Sequence, residues 1–240
     1  MSTAMAAAGP TAYWYLTRST GAVALVLLTF ATALGVLDLR RWSTPRLPRF
    51  VVDSLHRSSS LLAMVFLALH ILTSILDGFA RISLIDAFVP FAGSYRPFWL
   101  GLGALAFDLL VAVTITSLLR QRIGYQGWRA VHWLAYASWP IALLHTFGTG
   151  SDIKQAWMLW LSVVCVAIVV GAVLARVLFG WPENRRRRVG ALATAGGFSL
   201  FLLAWLPGGP LGSDWARRSG TPSSLLAHTH SATNSSGSRR

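Results

Sequence analysis

The sequence predicts an all-α, polytopic membrane protein, a six-helix transmembrane bundle, on three observations. Of its 240 residues 54% are hydrophobic and only 12% are charged, a balance that gathers into apolar runs a soluble domain does not tolerate. Six of those runs reach or approach the ~17 to 25 residues that cross a hydrocarbon core. The net charge of +13 comes almost wholly from arginines clustered in short stretches between the runs. That is the distribution of cytoplasmic membrane loops and not of a nucleic-acid face, so no nucleic acid is expected and the lipid membrane is the partner.

The runs follow in order. They are Tyr15 to Leu37, Leu55 to Phe79, Phe98 to Leu119, Ala130 to Phe147, Gln155 to Phe179 and Val189 to Leu206. Thr44-Pro45 and Leu47-Pro48 close the first, Arg96-Pro97 opens the third and Trp181-Pro182 closes the fifth, since proline and its predecessor are poor company for a continuing helix. The sixth is the weakest, because Gly196 and Gly197 fall inside it. Residues 1–13 form an N-terminal segment, 14–206 the membrane domain and 207–240 a tail. The tail is rich in Ser, Gly and Thr and is predicted to be disordered. Met1 to Pro10 lack the basic start of a signal peptide, so the first helix is expected to insert uncleaved. Cys165, the single cysteine, lies within an apolar run and says nothing about redox compartment.

Loop arginines set the orientation. Arg40, Arg41, Arg46, Arg49, Arg120, Arg122, Arg129 and Arg185 to Arg188 fall on one side, against Arg18, Arg81, Arg96 and Lys154 on the other. The richer side is predicted to be cytoplasmic. Both termini then lie outside, and the second and fourth spans run parallel from the cytoplasm outward. Trp14, Trp42, Trp99, Trp128, Trp133, Trp157, Trp181 and Trp205 sit near span ends, as an interfacial aromatic belt requires.

Four histidines carry the chemistry. His56 and His70 lie in the second span, His132 and His145 in the fourth. The topology pairs His56 with His132 near the cytoplasmic face and His70 with His145 toward the outer one. Fourteen residues on a helix give a rise of about 21 Å and a rotation of about 320°, so His56 and His70 share a stripe. Thirteen residues turn His145 about 140° from His132. The kink expected at Pro140 would have to repair that phase.

Neutral imidazole is a good axial ligand for haem iron, and one from each helix would clamp a porphyrin between parallel spans. Six-coordinate iron has no free position and suits electron transfer. Propionates need cations, which Arg57 and Arg129 would supply inside and Arg18 or Arg96 outside. A proton-handling or transport protein that uses the histidines and Asp108, a carboxylate deep in the third span, is the alternative. A haem-free scaffold is a third.

These features resemble the ferric reductase-like transmembrane domain, a six-helix haem-binding module. The resemblance rests on the histidine pairs spaced fourteen and thirteen, on Arg18-Ser19-Thr20-Gly21 opening the first helix, and on the order of six spans, over about residues 14 to 206. It implies two b-type haems, held by His56 with His132 and by His70 with His145, carrying electrons across the membrane. The tail contains no glycine-rich dinucleotide fingerprint. The expectation is therefore an oxidoreductase haem subunit within a complex, which takes electrons from a quinol or a separate flavoprotein and delivers them to an outer acceptor. In this it is similar to the haem subunit of the bacterial periplasmic methionine sulfoxide reductase system, or to stand-alone membrane haem proteins that pair with separate flavoproteins. His228 and His230 in the tail are too few for a metal site.

Overall fold

The computed structural model describes residues 11–37, 49–150, 152–180 and 184–226. Met1 to Pro10, Arg40, Arg41, Trp42, Arg46, Trp181, Pro182, His228 and His230 lie outside them. Among the described residues there is no strand. The helices are α1 (Ala12–Leu37), α2 (Arg49–Asp77), α3 (Leu84–Phe88), α4 (Pro97–Leu118), α5 (Arg120–His132), α6 (Ala135–Thr149), α7 (Ala156–Ala175), α8 (Arg185–Gly208) and α9 (Trp215–Arg218). A single 3-10 turn, Asp152–Lys154, precedes α7 and a π turn, Arg176–Gly180, extends it.

Small residues let these helices approach closely. The buried face of α1 is Thr20, Ala24, Leu25, Thr29, Ala31 and Ala33, and α1 packs along α2 and α7 while α4 packs on α6. Hydroxyls within the apolar helices bond back to carbonyls four residues earlier: Thr20 to Leu16, Ser59 to Leu55, Thr73 to Leu69, Ser162 to Met158. Those four hydroxyls are thereby satisfied inside their own helices. Leu25, Trp139, Leu143, Phe147, Ile153 and Cys165 join α1, α6 and α7 in one core. The Trp139 indole N–H donates to the Thr29 hydroxyl at 2.9 Å, a buried pair that fixes the register of α1 against α6.

Among the described residues five helices are long and apolar enough to cross a membrane: α1, α2 from Phe50, α4, α7 extended to Phe179, and α8. The predicted fourth span differs. Its residues are split between the end of α5 and the fifteen-residue α6, with a break at Trp133 and Leu134. Bonds there tighten to the i+3 pattern, with Leu134 N–H to Val131 O at 2.9 Å, Tyr136 N–H to Trp133 O at 3.1 Å and Ala137 N–H to Leu134 O at 3.0 Å. Such turns advance about 120° per residue instead of about 100°, which winds the chain forward between His132 and His145. The phase correction expected at Pro140 thus begins upstream of it, and Pro140 sits inside α6.

The tail differs too. Residues 207–226, expected to be disordered, fold back over the end of the bundle where α1 begins. Trp215 donates to Gly148 O at 3.2 Å, Lys154 donates to Gly212 O at 3.0 Å, and Gly220 O accepts from the Arg96 backbone N–H at 3.0 Å. Leu211 and Trp205 pack against the core. Composition alone hid these anchors among Ser and Gly.

Candidate functional site: two histidine pairs between helices

The helix order brings the four histidines together in the two predicted pairs. His56 and His132 have ring centroids 6.2 Å apart with planes at 71°, and His70 and His145 lie 6.4 Å apart at 83°. Two imidazole nitrogens about 2.0 to 2.1 Å from a first-row metal ion, on opposite sides of it, would set ring centres about 6.4 Å apart, with roughly 1.2 Å from nitrogen to centre on each side. Both observed spacings match that requirement.

Three of the four rings are oriented by main-chain carbonyls. Nδ1 of His70 lies 2.8 Å from Thr17 O, Nδ1 of His145 lies 2.9 Å from Trp99 O, and Nδ1 of His56 lies 3.1 Å from Ala31 O. A carbonyl only accepts, so each Nδ1 carries the proton and each Nε2 keeps its lone pair for a metal. His132 Nδ1 is buried with no hydrogen-bond partner among the described residues. Its ring stacks on Trp128 instead, centroids 4.8 Å apart.

The two pairs open onto unequal spaces. His70 and His145 line a cavity of about 600 Å³, within the range of cofactor pockets. His56 and His132 line one of about 80 Å³. Asp108 lines neither cavity, which separates it from the histidines it was paired with in the proton-handling alternative.

The predicted cations are distributed unevenly. Arg18 lines the larger cavity, lies over the Trp14 ring at 3.5 Å and forms an ion pair with Asp152 at the 3-10 turn. Arg96 also reaches that cavity, but its guanidinium donates to Gly148 O at 2.8 Å, Thr149 O at 3.2 Å and Thr221 Oγ1 at 2.9 Å. It caps the carbonyl end of α6 and ties down the chain after α8. Burial pushes the Arg96 guanidinium below its usual range. Arg57 and Arg129 are exposed beside His56 and His132.

Sequence reasoning missed Asp152 as the partner of Arg18, and it missed that three glycines lie against the histidine rings. A Cβ at Gly21 would lie 2.8 Å from His70 Nδ1, one at Gly103 2.5 Å from His145 Cε1, and one at Gly35 3.6 Å from His56 Cε1. The signal was present: Gly21 and Gly35 are fourteen residues apart, the spacing of His56 and His70 on the antiparallel neighbour.

The fold is that of an all-α polytopic membrane protein with two histidine pairs between its helices. The family described as ferric reductase like transmembrane component matches residues 20–143, more than half the chain, and the protein belongs to that family. The match contains His56, His70 and His132 and stops two residues before His145. No curated protein and no solved structure matches the chain.

Proposed function

We propose that the protein is a transmembrane electron-transfer subunit with two bis-histidine b-type haems, one held by His56 and His132 and the other by His70 and His145. The observation that carries this reading is the pair of ring separations, 6.2 and 6.4 Å, together with the Nδ1 hydrogen bonds of His56, His70 and His145, which make Nε2 the unprotonated nitrogen. Among the described residues no group of three or more His, Cys, Asp and Glu assembles. A bare metal ion takes three or four protein ligands, whereas a macrocycle that already fills four positions needs two. Paired imidazoles therefore favour haem over a simple ion.

When bound, haem supplies a one-electron couple at each depth. The chain's own residues hold it, fix the imidazole tautomers and keep water out with Leu25, Leu28 and Phe107 around the outer site. Arg18 at the outer site, and Arg57 and Arg129 at the inner one, are the proposed propionate partners. The donor is a quinol or a separate flavoprotein, and the acceptor lies outside, with ferric iron one candidate. Exposed Arg57, Arg120, Arg122, Arg129 and Arg185 to Arg187 share one end of the bundle, which supports a cytoplasmic assignment for that end and outward-facing termini.

Reduced-minus-oxidised spectra of the purified protein test the reading. Two haems per chain with low-spin b-type bands are expected after dithionite. Colourless protein that moves protons across vesicles would instead favour the transport alternative.

A further inference from the structure

Three ligand histidines share one local device. Each Nδ1 meets the carbonyl of a helix residue that stands four positions before a glycine: Thr17 before Gly21, Ala31 before Gly35, Trp99 before Gly103. In an α-helix the carbonyl of residue i points toward residue i+4, whose Cβ tilts back toward the helix start and covers it. A glycine at i+4 leaves that carbonyl open to a ring from the neighbouring helix. Carbonyl oxygens carry two lone pairs, so the helix bond need not be given up.

Position 117 shows what happens without it. It lies fourteen residues after Gly103, as Gly35 lies after Gly21, and it is a serine. The carbonyl four residues before it, Val113 O, takes a hydroxyl from Thr116 at 3.2 Å. Ser117 Oγ accepts from the Trp128 indole at 3.2 Å, and Trp128 stacks on His132.

We infer that Gly21, Gly35 and Gly103 are positioning residues that expose helix carbonyls to set the ligand tautomer of His70, His56 and His145, while His132 stacks on Trp128 and its Nδ1 meets no carbonyl among the described residues. The haem consequence rests on the proposed function; the tautomer consequence does not. Three rings are preset with Nε2 unprotonated, and the fourth has no acceptor to choose its tautomer. The inner site is thereby the more weakly held of the two.

The test has two arms. In the first, nitrogen-15 NMR of histidine-labelled, haem-free full-length protein in detergent, at a pH where the rings are neutral, reads tautomers directly. Three of the four span histidines are expected as Nδ1–H forms, with the resonance lost in His132→Ala showing a mixture. An Nδ1–H form at His132 as pure as the others, or mixtures at all four, overturns the inference whether or not haem binds.

In the second arm, haem content and redox titrations are compared for Gly103→Ala, Gly21→Ala, Gly35→Ala and, as a control for helix propensity, Gly171→Ala, where a Cβ meets nothing within 4 Å. Contacts of 2.5 and 2.8 Å displace the ring, whereas 3.6 Å is ordinary van der Waals contact. Gly103→Ala and Gly21→Ala should weaken the outer haem by about 10- to 100-fold, the usual effect of losing a partner that orients a metal ligand. Gly171→Ala should leave both haems, and Gly35→Ala, whose Cβ meets His56 Cε1 at 3.6 Å, should weaken the inner haem by less than the other two weaken the outer one. Equal losses in all four variants, or none, overturns the positioning role. Protein that binds no haem in any form overturns the proposed function instead, and the NMR arm still decides this one.

Discussion

Replacing Arg18 with Leu and Asp152 with Asn, singly and together, distinguishes a cation that serves the outer haem from one that only joins two elements. The pair lies between the first turns of α1 and the turn before α7, each side chain about one-fifth exposed, and Arg18 also covers Trp14. At that exposure a charge-assisted bond contributes about 1 to 3 kcal/mol, short of the larger cost of breaking a fully buried pair. Each single variant should lower thermal stability by that amount, and the double variant should cost less than the two together. Potentials separate the roles. A unit charge about 10 Å from a redox centre in an effective dielectric of about 20 contributes about 1.7 kcal/mol, or ~70 mV for one electron. Removing the Arg18 cation stabilises the oxidised, more positive iron and lowers the outer midpoint. Removing the Asp152 anion raises it, and the double variant should return near the wild-type value. The inner midpoint should stay put in all three. Redox titration followed at the haem bands, beside melting curves, reads both quantities. Unchanged outer potentials in every variant would refute any haem role for Arg18 and leave it as a tie between α1 and the outer turn.

Three further outcomes follow from the same geometry. Alanine at His70 or His145 should remove one and the same haem, and alanine at His56 or His132 the other, as counted by pyridine haemochrome and resolved by potential; a shared loss between His56 and His145 would break the pairing. NADPH added to the purified protein should leave the haems oxidised while dithionite or a quinol analogue reduces them, and rapid reduction by NADPH alone would place the donor within this chain. Arg96→Ala strips the donor from two α6 carbonyls and from Thr221, a loss of about 2 to 4 kcal/mol if none is resatisfied; limited proteolysis should then cut within residues 207–226, where wild type resists.

Much of the bundle was legible because membrane physics is simple. Apolar length finds α1, α2, α4, α7 and α8, and the histidine depths follow once the spans alternate. The pairing of His56 with His132 needed only that the second and fourth spans run parallel. What periodicity could not see was local winding. The ideal-helix phase argument put His145 on the wrong side, and the answer lay in tightened turns at Trp133 and Leu134, residues with no proline or glycine to mark them. Composition likewise misread residues 207–226, since the anchors Trp215 and Leu211, with the buried Arg96 that reaches Thr221, outweigh a polar average. Arg96 is the clearest instance: by sequence it is a loop cation beside a proline, and only the fold supplies the α6 carbonyls and Thr221 that it joins.

The glycines point to a more general reason for that blindness. A sequence pattern on one helix is read against that helix, yet Gly21, Gly35 and Gly103 are explained only by rings on another. Each is costly where it stands, because glycine weakens a helix interior by about 1 kcal/mol relative to alanine. A glycine repeated at the histidine spacing on an antiparallel neighbour is therefore informative, and it predicts which carbonyls are open. His132 lacks such a carbonyl and ends α5, next to the broken turn and above the smaller cavity. An Nδ1 without an acceptor, a helix end and little enclosed space fall on the same ligand, so the two sites are unequal in geometry. Under the proposed function, electrons crossing the bundle would meet the less firmly set ligand at the end where basic residues gather and the carbonyl-oriented pair of His70 and His145 at the other.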